Sequence, residues 1–413
     1  MKEPGKITIL SCGTAPKNMA HGRARLFAEA GLLVGSRRLL AGYPDFSGER
    51  IILGADTAKT VLKLCEAASQ GEKIIVLASG DALFHGIGGT FTRLDKAKLS
   101  GFELDIEPAP TAFQTLFSHL GIPWDRARFF SLHQGGKVPV REILSAPLAV
   151  VYGGSQINAV QTATALVEYF PEFGERPAVL AENLGFENEK IYSATLSEIS
   201  RLSCGPISIL LLLEMVDSHA TGPQLALGLD NGFYTHENGL ITGSEVRCTA
   251  LAKLCLPPAG VLWDIGAGSG SVGLEAAALR PGLEVYALEQ NSARISQIDE
   301  NARRLGVANF TVTNGSAPEG FSSLPEPDRI FIGGGGVQLT EILASSFAGL
   351  KPGGVMVVSA VTLESLAKIA SFKPECCLET VQISIARVAE LAGKYHFMKN
   401  ENQITLSVFK KEF

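Results

Sequence analysis

The stretch Val261–Gly273, VLWDIGAGSGSVG, limits the possible folds more than any other, because an apolar run there ends in a glycine-rich turn that opens a helical segment. Sixteen residues further on, the next apolar run, EVYALE, ends in Glu289. A strand, a tight turn, a helix and a second strand ending in a carboxylate is the order in which an α/β sheet holds an adenosine-containing cofactor. Gly266, Gly268 and Gly270 let the backbone turn and approach a ligand that a Cβ would hold off. A helix expected over Ser271–Leu279 adds free N–H groups at its start. Asp264 can order the turn or hold the ligand's amino group, and Glu289 is placed to accept hydrogen bonds from two ribose hydroxyls.

The rest of the chain bounds what that turn serves. With 413 residues, the chain exceeds one ordinary core and predicts two or three domains at roughly 150 residues each. An apolar fraction of 46% and a charged fraction of 19% describe a well-buried globular protein. A net charge of -6 argues against a general nucleic-acid binder, which needs a basic surface. It leaves room for a basic pocket that takes a polyanionic small molecule. The seven cysteines are scattered and form no CxxC pair, which predicts reduced thiols rather than a disulfide framework or zinc site. His21, His85 and His133 lack metal-ligand spacing, so no metal is expected. The run Ile207–Val216 is too short to span a bilayer, and the first residues lack signal-peptide architecture. A cytoplasmic protein without a membrane partner is expected.

Two blocks of alternating strand-like and helix-like segments follow one another, without an internal repeat. The first contains strand candidates at Ile7–Leu10, Ile74–Ala78, Leu148–Val151, Ala178–Ala181 and Ile207–Leu213, and helix candidates at Arg23–Ala30, Thr57–Gln70 and Ala159–Tyr169. Residues 217–238 are rich in glycine, proline and asparagine turn signals and read as a linker. The second block predicts strands at Val261–Ile265, Glu284–Glu289, Phe310–Thr313, Arg329–Ile332 and Val355–Val358, with Thr380–Ala386 and Gln403–Lys410 as an antiparallel pair at one sheet edge. The predicted domains are therefore 1–216 and 239–413, both α/β.

An aspartate inside the first strand, as in DxGxGxG, favours S-adenosylmethionine over a dinucleotide, for which an apolar strand and GxGxxG are more usual. Lys351-Pro352-Gly353-Gly354 before a late strand agrees with that reading. Here the second block resembles the Rossmann-like class I S-adenosylmethionine-dependent methyltransferases. Thr242-Gly-Ser-Glu245-Val246-Arg247, the glycine turn, Gly333-Gly334-Gly335-Gly336 after the fourth strand and Ile385-Ala386-Arg387 narrow the resemblance to the decarboxylating methyltransferases of cobalamin biosynthesis. That resemblance implies that Thr242, Asp264, Gly266, Gly268, Gly270, Glu289, Ser316 and Ala317 serve the cofactor, and that Arg247, Gly334, Gly335 and Arg387 face the reacting ring. Ser316 departs from the acidic residue common at its position.

The first block carries a different signature. Ser79-Gly80-Asp81-Ala82-Leu83-Phe84-His85-Gly86-Ile87-Gly88 resembles the SGDPxxYGIG segment of tetrapyrrole methylases, which have two α/β halves with a cofactor cleft between them. Pro108-Ala-Pro110-Thr111-Ala112-Phe113, Ser131-Leu132-His133 and Glu182-Asn183-Leu184-Gly185 match later segments. The resemblance implies cofactor contacts from Gly80, Asp81, Phe84, Thr111 and Ala112; as a local feature, Asp81 also reads as a helix N-cap. Ala82 and His85 stand where the family prefers proline and tyrosine, and Cys12-Gly13-Thr14-Ala15-Pro16 lacks the usual glycine-rich form.

Both halves in this order resemble the fused C5,15-methylating, decarboxylating methyltransferase family, and the likeness spans nearly the whole chain. It implies S-adenosylmethionine as cofactor, a precorrin-type tetrapyrrole as substrate and a homo-oligomer. The ring's carboxylates need cationic partners, for which Arg23, Arg25, Lys137, Arg141, Arg247 and Arg387 are candidates. A two-domain NAD(P)-dependent oxidoreductase and a non-catalytic first domain are the alternatives.

Overall fold

A computed structural model describes residues 5–14, 24–54, 56–94, 99, 101–133, 135–215, 225–237, 241–391, 393 and 395–412. Ala15, Pro16, His21, Arg23 and residues 217–224 and 238 of the expected linker lie outside the described residues. Contacts divide the chain into two compact units, one of Met1–Gly135, Pro147–Thr164 and Glu172–Val216, the other of Gly136–Ala146, Ala165–Pro171 and Asp217–Phe413.

The first unit holds two five-stranded sheets. The first comprises β1 (Gly5–Ser11), β2 (Leu32–Gly35), β3 (Glu49–Ile52), β4 (Lys73–Ala78) and β5 (Phe102–Glu107) in the order β3-β2-β4-β1-β5, and every pairing is parallel. The second comprises β6 (Ala127–Ser131), β7 (Leu148–Tyr152), β8 (Pro177–Glu182), β9 (Lys190–Thr195) and β10 (Ser208–Leu212) in the order β6-β7-β10-β8-β9. The central strands β1, β4, β7 and β10 read as unbroken apolar runs because helices and loops cover both faces of a parallel or mixed sheet. The sequence pattern omits β2, β3, β5, β6 and β9. The strand β2 is a buried inner strand of only four residues (LLVG), too short to stand out as a run of its own. The other four are edge strands whose charged and polar residues (ERII, FELDIE, ARFFS, KIYSAT) protect an open edge and break the apolar run.

The second unit is built on one seven-stranded sheet: β11 (Ala259–Ile265), β12 (Gly282–Glu289), β13 (Phe310–Asn314), β14 (Arg329–Ile332), β15 (Val355–Ala360), β16 (Cys377–Ile383) and β19 (Ile404–Lys410), ordered β13-β12-β11-β14-β15-β19-β16. Strand order reverses at β11, where β12 and β14 flank it, so the turn after β11 lies at the topological switch point where such sheets bind ligands. The late antiparallel pair is β16 with β19. The segment expected to run unbroken over Thr380–Ala386 divides instead: β16 ends at Ile383, and Ala386 opens a separate hairpin of β17 (Ala386–Leu391) and β18 (Tyr395–Asn400). No helix among the described residues is long and apolar enough to cross a membrane.

Two apolar clusters cover the two faces of this sheet, one around Leu262, Val285 and Val357, the other around Ile265, Ile330 and Val358. Between the helix Ser271–Leu279 and its neighbours, buried Asn309 reaches with Nδ2 to the carbonyls of Ala277, Arg280 and Leu283 at 3.1, 3.1 and 2.6 Å. Asn309→Ala leaves those carbonyls short of a donor, and urea unfolding is expected to lose about 1–3 kcal/mol. An unchanged midpoint would show that the amide contributes nothing.

Candidate functional site

In the second unit the glycine turn is closed by two carboxylates. Asp264, in β11 and fully buried, accepts from the Gly273 N–H through Oδ2 at 2.9 Å. Among the described residues its Oδ1 has no donor. Burial, opposed by the Gly273 bond and reinforced by nearby Glu289, pushes its pKa up to about 7. Glu289, at the end of β12, accepts from Gly268 N–H through Oε2 at 2.8 Å and from Asn291 N–H through Oε1 at 2.9 Å. Each oxygen keeps a lone pair for a further donor. Gly266, Gly268 and Gly270 all take positive φ (70°, 61° and 75°), and a Cβ on Gly268 would point into open space, the form of a backbone cradle. Gly315 N–H bonds the Glu289 backbone carbonyl, and exposed Ser316 and partly buried Ala317 follow it in the chain.

A second glycine loop, after β14, lies against the first. Gly333 N–H donates to Ile265 O at 2.9 Å, and a Cβ on Gly266 would stand 3.3 Å from Gly334 O. Gly334 and Gly336 take φ of 158° and 52°, and Gly335 leaves no room for a Cβ beside Leu339. Lys368, which local pattern does not single out, donates to the carbonyls of Gly336 and Val337. The two loops singled out in sequence therefore form one surface at the carboxyl ends of β11 and β14.

Arg247 departs from its expected place facing the ring. It is fully buried and pairs with equally buried Glu275 at 2.9 Å. Its other donors go to Asn231 Oδ1, the Thr242 carbonyl and the Leu229 carbonyl. Glu275 in turn accepts from Gly228 N–H, Leu229 N–H and the Tyr234 hydroxyl. Arg247 is thus a positioning residue that ties partly buried Thr242, residues 228–234 and the helix Ser271–Leu279 together. Glu275 was missed in sequence, though a lone charge in SVGLEAAAL is the signal of a buried partner. Asn301, also missed, ties Ser269 O and both backbone groups of Thr235.

Arg387 on β17 is half exposed and holds Glu245 at 2.9 Å and Glu401 at 2.5 Å. The arginine's hydrogen bond holds the Glu245 carboxyl down at about 2. Among the other expected cations, Lys137 and Arg141 donate to the carbonyls of Phe310 and Leu305 within the same unit, and Arg25 pairs with Glu29.

In the first unit, loops after β1, β4 and β5 converge. Gly13 and Gly80 exchange backbone hydrogen bonds at 3.1 Å. Asp81 accepts from Leu83 N–H at 2.8 Å and, through its other oxygen, from Ala109 N–H at 3.4 Å. A Cβ on Gly80 would lie 3.9 Å from Thr111 Cα. Thr111 caps the helix Ala112–Leu120 through a capping box with Gln114. Asp81 is not a helix N-cap: a turn intervenes, and the next helix begins only at Gly88. Ala82 donates its N–H to the buried Ser11 hydroxyl at 2.8 Å, a bond that proline at this position could not make. Phe84 packs among Phe113, Phe129 and Tyr152, with ring centroids 5.0, 5.2 and 5.6 Å away. His85, beside it, holds the left-handed φ of 53°.

Two outcomes test this geometry. Glu275→Ala strands a buried guanidinium and is expected to cost about 3–5 kcal/mol in chemical unfolding, while a paired Arg247→Met/Glu275→Leu replacement costs less than either single change. Equal losses in all three would contradict the coupling. Asp264 is protonated in the folded chain until about pH 7 but ionises near pH 4 when unfolded. Folded stability contributed by the neutral form is full below pH 4 and is lost as pH rises to about 7. Asp264→Asn is expected to raise the melting temperature at pH 8 relative to the parent and to change it less at pH 5. A pH-independent difference would refute the raised pKa.

Comparison with known proteins agrees with this two-part organisation. A family model described as "Tetrapyrrole (Corrin/Porphyrin) Methylases" matches residues 8–200, and one described as "Precorrin methyltransferase domain" matches residues 233–411. The precorrin-6Y C(5,15)-methyltransferase [decarboxylating] of Sinorhizobium sp is 30% identical over 370 residues, covering 89% of this chain and 87% of that protein. The protein of the same name from Mycobacterium tuberculosis is 28% identical, covering 85% of each. A probable cobalt-precorrin-6B C(15)-methyltransferase (decarboxylating) of Pyrobaculum calidifontis is 36% identical over 189 residues, 45% of this chain and 96% of its own. With this likeness running through both units, the chain belongs to the precorrin-6Y C(5,15)-methyltransferase (decarboxylating) family of methyltransferases.

Proposed function

We propose that the chain transfers methyl groups from S-adenosylmethionine to a precorrin-6-type tetrapyrrole in cobalamin biosynthesis, at C5 through the first unit and at C15 through the second, where the C12 acetate arm also loses carbon dioxide. The observation that carries the proposal is the presence in one chain of two separate ligand-type constellations at the carboxyl ends of parallel strands, Gly80-Asp81 with Thr111 and Gly266–Gly270 with Glu289. Membership of a methyltransferase family decides against the dinucleotide oxidoreductase.

The residues of the second unit fit the cofactor. Asp264 Oδ1 is a buried acceptor without a donor among the described residues, which suits an ammonium or amide N–H. Glu289 retains acceptor capacity for ribose hydroxyls, and the space over Gly268 admits close backbone approach. When bound, S-adenosylmethionine supplies an electrophilic methyl on a sulfonium. The protein's part is then mainly to position a ring carbon in line and exclude water. No strong base is needed, because the reduced ring supplies its own electron-rich carbon. The glycine loop Gly333–Gly336 gives the ring a floor without side chains, and half-exposed Arg387, paired with Glu245 and Glu401, would meet a ring carboxylate by exchanging one of them. During decarboxylation the electrons of the breaking carbon–carbon bond pass into the conjugated ring, and a poorly solvated carboxylate leaves more readily.

In the first unit, Asp81 joins the loops after β4 and β5. The Ala82–Ser11 bond fixes the turn in which the family prefers proline, which favours a working site over a passive platform. Asp81→Ala is expected to lower C5 methylation about a hundred-fold or more and leave C15 methylation and carbon dioxide release intact, an effect on the scale of lost positioning. Gly268→Val is expected to do the reverse. Both are read with labelled S-adenosylmethionine and the tetrapyrrole, with product positions assigned by NMR; a variant that removes both methylations or neither contradicts the division of labour.

A further inference from the structure

Arg38 belongs to no part of the sites described so far. The strand β2 ends at Gly35, and Ser36 caps the single turn Arg37–Leu40 by accepting the Leu39 N–H. Because β2 and β4 are adjacent and parallel, this turn starts beside Ser79-Gly80-Asp81, which leaves the end of β4. Arg38 Nη2 donates to Ser79 Oγ at 3.3 Å. Its guanidinium carbon lies 4.5 Å from the ring centroid of Phe186, in the loop after β8 whose Asn183 and Gly185 take positive φ. One cation thus touches the loop of β4 in the first sheet and the loop of β8 in the second.

The electrostatics of this position are unbalanced. Desolvation lowers the Arg38 pKa below the ordinary arginine value, and among the described residues no carboxylate forms an ion pair with it. A guanidinium has five donors, and among the described residues Arg38 makes one hydrogen bond with it, to a neutral hydroxyl. The Phe186 ring lies against the guanidinium and restrains its planar fork, a group suited to bidentate carboxylate binding. Arg38 itself stays exposed, so its unused donors are open to a solute. At the mouth of a ligand-type constellation such a group is a candidate for binding an anion supplied from outside the chain.

We propose that Arg38 anchors a peripheral carboxylate of the tetrapyrrole in the first unit and thereby fixes which ring carbon is presented for methylation. The inference rests on the assignment of C5 methylation to this unit and names the residue that would register the substrate there. The carboxylate belongs to the ring, not to the methionine end of the cofactor.

The fused chain supplies its own control. In full-length Arg38→Gln, the KM for the precorrin-6-type ring in C5 methylation is expected to rise on the order of ten- to a hundred-fold, the range for a lost charge-assisted hydrogen bond. Arg38→Lys should recover part of that loss. C15 methylation, carbon dioxide release and calorimetric affinity for S-adenosylhomocysteine should stay at the parent values. An unchanged KM for C5 methylation in Arg38→Gln overturns the proposal, as does a loss of S-adenosylhomocysteine affinity that accounts for the whole effect. A parent chain that methylates only C15 would sink the C5 assignment instead. Arg38 is then judged by equilibrium titration of the ring: the loss of one class of ring site in Arg38→Gln supports the anchor, and an unchanged isotherm refutes it.

Discussion

The buried Arg247–Glu275 pair is the interaction on which the second unit's site depends. Taking two ions out of water costs several kcal/mol for each, and their attraction offsets this only when the remaining donors and lone pairs are also matched. Here they are: the guanidinium reaches Glu275, Asn231, Thr242 O and Leu229 O, and the carboxylate gathers Gly228 N–H, Leu229 N–H and Tyr234 OH. Every partner except the ion itself belongs to a loop or to the short 3-10 turn Asn231–Phe233. The pair therefore specifies where those segments run more than it adds net stability. Because Glu275 sits on the helix that opens from the glycine turn, the same network sets Thr242 relative to that turn.

The turn uses a complementary principle. Asp264 and Glu289 bind backbone N–H groups of the loop with one set of lone pairs and keep others available. The same carboxylates that shape the loop are thereby positioned to meet a ligand. A price appears at Asp264, whose buried carboxyl favours its neutral form until about pH 7. Donors arriving on Oδ1 would favour the charged form, coupling ligand binding to release of a proton.

Much of this was legible in sequence because it is local. VLWDIGAGSGSVG carries its strand, turn and helix within thirteen residues, and Ser79-Gly80-Asp81 follows an apolar run just as directly. Long-range pairing was not legible. Arg247 and Glu275 lie 28 residues apart, so the arginine of TxxEVR read as a cation for substrate when its partner was an unremarked glutamate in an apolar helix. Edge strands such as FELDIE and KIYSAT hid for the opposite reason, since the charges that guard them resemble a loop. Arg38 gives no signal in sequence at all: Ser79 and Phe186 meet it only once two sheets have formed.

The central claim is that the chain has two independent methyl-donor sites. Isothermal titration of the full-length protein with S-adenosylhomocysteine tests it most directly. The account predicts two equivalents bound per chain, with Asp81→Ala and Gly268→Val each removing one; a single equivalent, abolished by Gly268→Val and untouched by Asp81→Ala, would contradict it.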